Sequence, residues 1–161
     1  MKFPDMRASK LIRNIFYITF LIIAFSVSGH EVKIEYKTTE EIINARMKKM
    51  SLINNLSQKI YKELNLADFD LLKKNTLELK HAATHFKKLF PINSKGGRAK
   101  NLIWEKKILF DEYNDNFVSD IDFMLINIDV KDIISLKESF NDMSTNCSSC
   151  HKKFKNKKRL N

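Results

Sequence analysis

Apolar residues recur at steps of three and four along most of the chain, and their spacing divides it into four helical segments. This period is that of an amphipathic α-helix, whereas a half-buried strand would alternate every second residue. The predicted helices span about 38–64, 68–90, 101–128 and 130–157. Each presents one apolar stripe, and that of the first helix comprises Ile43, Met47, Met50, Ile53, Leu56, Ile60 and Leu64.

Helix-breaking residues are confined to one place after residue 30. Pro91, Gly96 and Gly97 are the only proline and glycines in that part of the sequence, and all three lie within the segment 90–98. The rest of the sequence lacks the residues that usually interrupt helices. One marked loop near the middle of an otherwise helical chain is therefore expected.

The ends of the predicted helices carry capping signals. Thr38-Thr-Glu-Glu41 has the spacing of a capping box, and Asp68 is a candidate cap for the second helix. The connections near 65–68 and 127–131 are short, so each joins two antiparallel neighbours. Four helices of similar length with such connections predict an all-α fold, an antiparallel four-helix bundle.

Residues 1–29 have the organisation of a secretory signal peptide. Four basic residues precede the apolar run Ile15–Phe25, and the small residues Ser26-Val-Ser-Gly29 follow it. An uncleaved membrane anchor is the alternative, but the run is shorter than the roughly 20 residues that a span needs. We expect export to the periplasm and a mature domain at 30–161.

The charge of the expected mature domain is concentrated at its end. The whole chain has 29 Lys and Arg against 19 Asp and Glu; residues 1–29 hold four and one of these, which leaves 25 against 18, or +7. Six of the basic residues lie in the segment 152–159. The rest is close to neutral, which argues against a nucleic-acid partner. The basic tail suits docking of an acidic partner or an acidic surface, or is simply a solvated, frayed terminus.

Both cysteines of the chain, Cys147 and Cys150, are followed directly by His151. At helical spacing i, i+3 and i+4 these residues share one face, and they continue the apolar stripe of the fourth helix. Cys-x-x-Cys-His is the attachment signal of a c-type haem, in which the thiols add to the vinyl groups and the imidazole ligates the iron. One covalent haem c near the C-terminal helix is therefore predicted.

Two other uses of these cysteines are weaker. A thioredoxin-like dithiol belongs at a strand-to-helix turn, and no strand is predicted here. A zinc site would recruit His81 and His85, at i and i+4, to complete two cysteines and two histidines. Their order and their distance from Cys147 depart from a zinc finger, so we interpret them as solvated or partly buried histidines.

Three stretches resemble the cytochrome c′, or class II cytochrome c, family over about 37–157. They are the haem motif in Cys147-Ser-Ser-Cys-His-Lys-Lys-Phe-Lys155, the approach to the third helix in Leu89-Phe-Pro91 and Ile103-Trp104, and Arg46-Met-Lys-Lys-Met50. A haem motif at the C-terminus is the mark of this class. The resemblance implies haem within the bundle, with His151 as the fifth iron ligand.

The resemblance also implies roles for the first helix, which would face the sixth iron position. Family members with an aliphatic residue there bind nitric oxide or carbon monoxide, and members with a methionine are low-spin electron carriers. Met50 is then a candidate distal ligand, since Met/His ligation raises the reduction potential; an ordinary core methionine, or ligation by Met47, stays open. Arg46 resembles the arginine near a haem propionate, with a solvated charge as the alternative.

The function expected from the sequence is a periplasmic electron carrier with one covalent haem, which exchanges single electrons with a redox protein, and that partner is expected to be acidic. The alternative is a five-coordinate protein that binds or sequesters nitric oxide or carbon monoxide. A third option, from another class, is a structural or non-haem metal protein. No nucleophile–base pair or carboxylate pair indicates an enzyme. Relatives often dimerise through their first two helices, which leaves a homodimer open.

Overall fold

The first helix, α1, begins where the sequence predicts a cap. The structure is a computed structural model and describes residues 38–157, of which α1 takes Thr39–Glu63. The hydroxyl of Thr38 accepts a hydrogen bond from the Glu41 amide at 3.1 Å, and the Glu41 carboxylate accepts one from the Thr38 amide at 3.1 Å. This reciprocal pair satisfies two amides that the helix itself leaves unpaired.

The second helix, α2, spans Phe69–Thr84 and ends six residues before the predicted end. Asp68 caps it as expected, accepting from the Leu71 amide at 3.0 Å. A 3-10 turn at Phe86–Leu89 follows in place of the last helical turn. The carbonyl of Leu89 accepts a hydrogen bond from the side chain of Arg46 in α1 and not from a helical amide.

The third predicted helix is divided in two. A single turn, α3, spans Leu102–Glu105, and the long helix α4 spans Lys107–Asp129. Lys106 separates them with φ −126° and ψ 53°, outside the helical region. No glycine or proline marks this break, and the helical period of apolar residues continues through it. The break could therefore not be predicted from the sequence.

The last helix, α5, spans Ile133–Phe154, inside the predicted 130–157. Lys131, with φ 58°, makes the turn from α4, and Asp132 caps α5 through the amides of Ile134 and Ser135. At the other end, the backbone of residue 155 becomes extended and pairs with Ala99 in an isolated antiparallel bridge. The helix therefore stops one turn before the predicted end.

The four long helices form the predicted antiparallel bundle, with α1 packed on α2, α2 on α4 and α4 on α5. Three ion pairs join α2 and the turn after it to α4 at 2.5–2.8 Å, with a seven-residue interval on both partners; we call them the charge ladder: Lys73–Asp129, Lys80–Asp122 and Lys87–Asp115. Two amide contacts join α4 to α5 at the same interval: Asn127–Ser139 and Asp120–Asn146. Constant intervals in opposite chain directions are the signature of antiparallel helices.

The buried side chains form two clusters. The main core fills most of the bundle with aliphatic residues of all four long helices, and Tyr61 of α1 stacks on Phe140 of α5 with centroids 5.9 Å apart. The second cluster is mostly aromatic and lies at the other end of the bundle, away from the contact between Tyr61 and Phe140. Its buried members are Leu89, Phe90, Ile103, Phe110 and Phe154.

The middle loop, residues 90–101, is fitted closely against α1 and the end of α5. Gly96 and Gly97 have φ +134° and +65°, and a Cβ built on either would lie 3.0 or 3.1 Å from the Ile43 side chain. Side chains are excluded there by both conformation and space. Beyond the glycines, the Lys100 amide donates to the Phe154 carbonyl at 2.9 Å.

The predicted signal peptide, 1–29, lies outside the described residues. Within 38–157 the structure contains helices, turns and the isolated bridge but no strand, which is inconsistent with the thioredoxin-like alternative. Among the described helices, none combines the length and the apolar character needed to cross a membrane.

Candidate haem site

Cys147, Cys150 and His151 lie on one face of α5, as the sequence predicts. All three are half-buried, whereas Met143 before them and Phe154 after them are only 1% and 3% exposed. Over about two turns of α5, the stripe of buried side chains is therefore interrupted by these three half-buried residues. The gap coincides with the groups that the sequence assigns to the haem.

The two thiols are unpaired and form no disulfide. Burial raises the pKa of Cys147 to about 11, with smaller contributions from Cys150 and Asp120, and burial alone raises the pKa of Cys150 to about 11. Both sulfurs are thus protonated at neutral pH. The reduced, protonated S–H is the form whose addition to a vinyl group gives a thioether without loss of any atom.

The imidazole of His151 is held in its neutral form. Burial lowers its pKa, and the positive charges of Lys155 and Arg98 lower it further. A neutral imidazole keeps a nitrogen lone pair for a metal ion. The basic residues near His151 therefore favour the protonation state that iron ligation requires.

Met50 lies in a similar gap on α1. It is half-buried, although Arg46 and Ile53 on the same side of the helix are 6% and 5% exposed. Met47, placed on the apolar stripe by the sequence, is 59% exposed and points away from the core. That assignment was wrong, and the exposure of Met47 removes the support for it as an iron ligand.

The helix register puts Met50 and His151 at the same height in the bundle. Met50 precedes Tyr61 by eleven residues, and His151 follows Phe140 by eleven residues, while Tyr61 and Phe140 are in contact. In antiparallel helices both intervals run the same way, about 16 Å at a rise of 1.5 Å per residue. The two gaps in the buried stripes thus lie level with each other.

Arg46 is buried, so the alternative of a solvated charge is wrong. Its Nε donates to the Leu89 carbonyl at 2.6 Å, and one terminal nitrogen, Nη2, donates to the Ser94 carbonyl at 2.6 Å and to the Ser94 hydroxyl. The guanidinium lies over the rings of Phe90 and Trp104, 4.3 and 5.3 Å from their centroids. Burial lowers its pKa to about 10, which leaves it charged at neutral pH.

The remaining guanidinium nitrogen, Nη1 of Arg46, is buried without a hydrogen-bond partner among the described residues. A buried charged donor of this kind needs an acceptor. A haem propionate would supply a carboxylate oxygen, so two thiols, one neutral imidazole and one incompletely bonded guanidinium fit the needs of haem c. The propionate contact and the iron ligands remain predictions at the level of individual residues.

His81 and His85 do not approach the cysteines. Their rings contact each other with centroids 4.8 Å apart, and the His81 side chain is exposed. No set of three or more metal-binding side chains is found in residues 38–157. The zinc site that combined these histidines with Cys147 and Cys150 is therefore not formed.

Two buried polar residues could not be predicted from the sequence. Ser94 is fully buried. Its carbonyl accepts a hydrogen bond from Arg46, and its hydroxyl donates one to the Pro91 carbonyl at 2.7 Å. Asn114 is a buried polar residue of α4 whose Nδ2 lacks a partner within the described chain. A turn at Pro91 was readable in the sequence, but burial of a polar side chain depends on contacts between distant segments.

The model of the family described as Cytochrome C′ matches residues 41–155, which contain all of these residues. The chain therefore belongs to the cytochrome c′ family. Proteins of this family bind haem c covalently, so haem c is the cofactor of this chain, as the sequence predicts. No curated protein sequence matches the chain.

Solved structures with this fold include several of cytochrome c prime from Alcaligenes xylosoxidans. The nitric oxide complex of a leucine-to-valine variant is 21% identical, covers 76% of this chain and 100% of its own, and has a TM-score of 0.73. A ferrous arginine-to-lysine variant with bound nitric oxide is 23% identical, with 77% and 100% coverage and a TM-score of 0.73. A carbon monoxide-bound leucine-to-glycine variant is 21% identical, with 76% and 100% coverage and a TM-score of 0.73.

Proposed function

We propose that this chain is a periplasmic haem protein that binds a small gas, nitric oxide or carbon monoxide, on the haem face that α1 lines. The haem iron supplies the atom to which the gas binds. The similar proteins from Alcaligenes xylosoxidans were solved as complexes with these two gases. This support favours gas binding over electron transfer, whereas the expectation from the sequence placed the electron carrier first.

The observation that carries the proposal is the gap in the buried stripe of α1 at Met50. A half-buried side chain between two buried ones has fewer contacts to hold it in one rotamer. Methionine is unbranched and adaptable, and it moves more readily than a β-branched residue. Met50 is therefore suited to yield space to a diatomic ligand.

The other residues keep the opposite side fixed. Cys147 and Cys150 would tether the cofactor to a single helix face, and His151, in the same helical turn, would ligate the iron. Arg46 anchors the middle loop through Leu89 and Ser94, and its remaining nitrogen would neutralise a haem carboxylate. No side chain near them is arranged as a nucleophile with a base, and we infer that the protein is not an enzyme.

A visible spectrum tests the proposal. The chain is produced with its own signal peptide in a host that has a c-type haem assembly system, and the periplasmic fraction is purified. We expect a haem that stays attached after denaturation and a ferrous spectrum that changes when carbon monoxide is added. If the haem is covalent but its ferrous spectrum does not change with carbon monoxide, gas binding is rejected and the family assignment stands.

A second function, single-electron transfer, is favoured by the level position of Met50 and His151. A thioether and an imidazole on opposite sides of the iron would give low-spin haem with a raised reduction potential. In that case carbon monoxide leaves the ferrous spectrum unchanged. The same measurement thus separates the two functions.

A further inference from the structure

Six cations are brought together at the end of the bundle that carries His151. Four follow it in the sequence, and two come from the middle loop; we call this surface the basic end: Arg98, Lys100, Lys152, Lys153, Lys155 and Lys157. Neither 91–104 nor 143–157 contains an acidic residue. Within residues 38–157, none of the six forms an ion pair with a carboxylate.

The basic end is held in place by backbone contacts between two distant segments. The Asn156 amide donates to the Arg98 carbonyl at 2.8 Å, beside the bridge between Ala99 and Lys155. The ammonium of Lys100 donates to the carbonyls of Lys152 and Lys153, each at 3.1 Å. These cations therefore form a surface of fixed shape rather than a frayed tail.

Two acidic side chains in the first half of α4 already have cationic partners. Asp111 pairs with Lys107, and Asp115 pairs with Lys87 in the charge ladder. Like charges concentrated within a Debye length, without compensation, produce a local positive potential that attracts anions over that distance. The potential is centred on the helix end that holds the haem tether.

We propose that the basic end is the docking surface for an acidic redox protein that exchanges one electron with the haem. The inference rests on the proposed haem at Cys147 and Cys150, and it holds for either iron chemistry, since carbon monoxide binding also needs ferrous iron. In the exchange the partner loses one electron and ferric iron becomes ferrous, or the reverse. An electron passing here enters beside the helix turn that holds the cofactor.

The surface fits a protein better than a membrane. Segments that lie on membranes combine basic residues with exposed apolar ones. Neither 95–104 nor 147–157 has an exposed large apolar side chain, and the exposed Ile92 lies earlier in the middle loop. Charge complementarity without an apolar anchor is typical of a short-lived, salt-sensitive encounter between proteins.

The test uses the ferrous holoprotein and two oxidants of opposite charge, hexacyanoferrate(III) and tris(phenanthroline)cobalt(III). Each takes one electron from the haem. We expect the rate with the anion to fall as ionic strength rises and the rate with the cation to increase. Replacement of two exposed lysines, Lys152→Glu with Lys157→Glu, should slow the anion's reaction about tenfold at low salt.

The matched control is Lys59→Glu with Lys137→Glu, two exposed lysines toward the opposite end of the bundle. It changes the net charge equally and should alter the rate less than about twofold, since those charges lie more than a Debye length away. Equal effects of both pairs would overturn the proposal, because net charge alone would then set the rate.

Poly-glutamate serves as a model acidic polypeptide, and phosphatidylglycerol vesicles serve as a model membrane. We expect poly-glutamate to slow oxidation of the wild type by hexacyanoferrate(III) at low salt, but not oxidation of the Lys152/Lys157 variant. Lysine-dependent pelleting with vesicles, without competition by poly-glutamate, would replace the protein partner by a membrane. Absence of covalent haem in the starting spectrum would reject the haem assignment itself, whereas salt-independent rates of a normal haem protein would reject only the docking surface.

Discussion

Met50 of α1 and His151 of α5 lie level with each other, each eleven residues from the contact between Tyr61 and Phe140. Both interrupt a stripe of otherwise buried side chains. A group bound by His151 between these helices would therefore lie at about the level of Met50 on α1. We therefore predict that the sixth iron position depends on whether the Met50 thioether stays or moves.

Replacing Met50 by leucine removes the only thioether at that level of α1. If the ferrous wild type shows partial low-spin character, we expect Met50→Leu to make it fully high-spin and to raise the carbon monoxide association rate. If the wild type is already high-spin, the rate should change by less than about threefold, since leucine and methionine have similar volumes. Absorption spectra and flash photolysis measure both quantities.

The control for that substitution is Met47→Leu, because Met47 is 59% exposed on the same helix. Its spectrum and gas kinetics should equal those of the wild type. A low-spin spectrum that survives in Met50→Leu but disappears in Met47→Leu would contradict the register and identify Met47 as the ligand.

Loss of the Arg46 guanidinium should destabilise the fold as well as the haem site. Arg46→Met leaves the carbonyls of Leu89 and Ser94 without their donor, and hydrogen bonds to charged groups are worth about 1.5–3 kcal/mol each. We expect the free energy of unfolding of the holoprotein to fall by about 2–4 kcal/mol. Urea denaturation measures this fall, and the exposed Lys48→Met provides the control. Similar values for the two variants would show that Arg46 does not anchor the middle loop.

The two glycines over Ile43 give a prediction about packing. Gly97→Ala places a Cβ about 3.1 Å from the Ile43 side chain at a backbone φ of +65°, and we expect a loss of about 1–3 kcal/mol. Ile43→Ala opens the space, so the double variant should lose less than the sum of the single variants. Strict additivity would show that backbone conformation alone requires glycine there.

The thiols of the haem-free chain should be poorly reactive while the bundle is folded. Alkylation by iodoacetamide needs the thiolate, and burial raises the pKa of Cys147 and Cys150 to about 11 from a reference value of 9.0. Two pKa units correspond to about a hundredfold less thiolate at pH 8. The rate should rise about a hundredfold in 8 M urea.

The pH dependence of the same chain has a defined sign. The thiol pKa is raised in the folded state, so its contribution to stability is complete below pH 9 and is lost as pH rises to about 11. The variant with both cysteines replaced by alanine should lose less stability over this interval. An equal loss in the variant would assign the pH dependence to other groups.

The sequence was sufficient for features that depend on neighbouring residues. The capping box at Thr38, the cap at Asp68 and the shared face of Cys147, Cys150 and His151 all follow from spacing within a few residues, and the structure has each of them. Such features need only the helical period and the hydrogen-bonding capacity of the side chains.

What could not be predicted depends on contacts across the chain. Arg46, a charged residue, is buried because the middle loop supplies the carbonyls of Leu89 and Ser94. Met47, next to it, is exposed for the same reason, since the helix turns its Arg46 side toward that loop. The end of α2 at Thr84 was also not predicted by the helical period, and the Leu89 carbonyl beyond it bonds to α1.

The charge ladder has a consequence for how the chain finds its alignment. Because its rungs recur every seven residues, sliding α2 past α4 by two helical turns would restore two of the three pairs: Lys73 with Asp122 and Lys80 with Asp115. The shifted alignment loses only one of three exposed ion pairs, so the ladder by itself favours the native alignment weakly. The choice of alignment therefore depends on the buried side chains that α2 and α4 share in the main core, such as Leu72 and Leu79 of α2 and Met124 of α4, and not on the ion pairs alone.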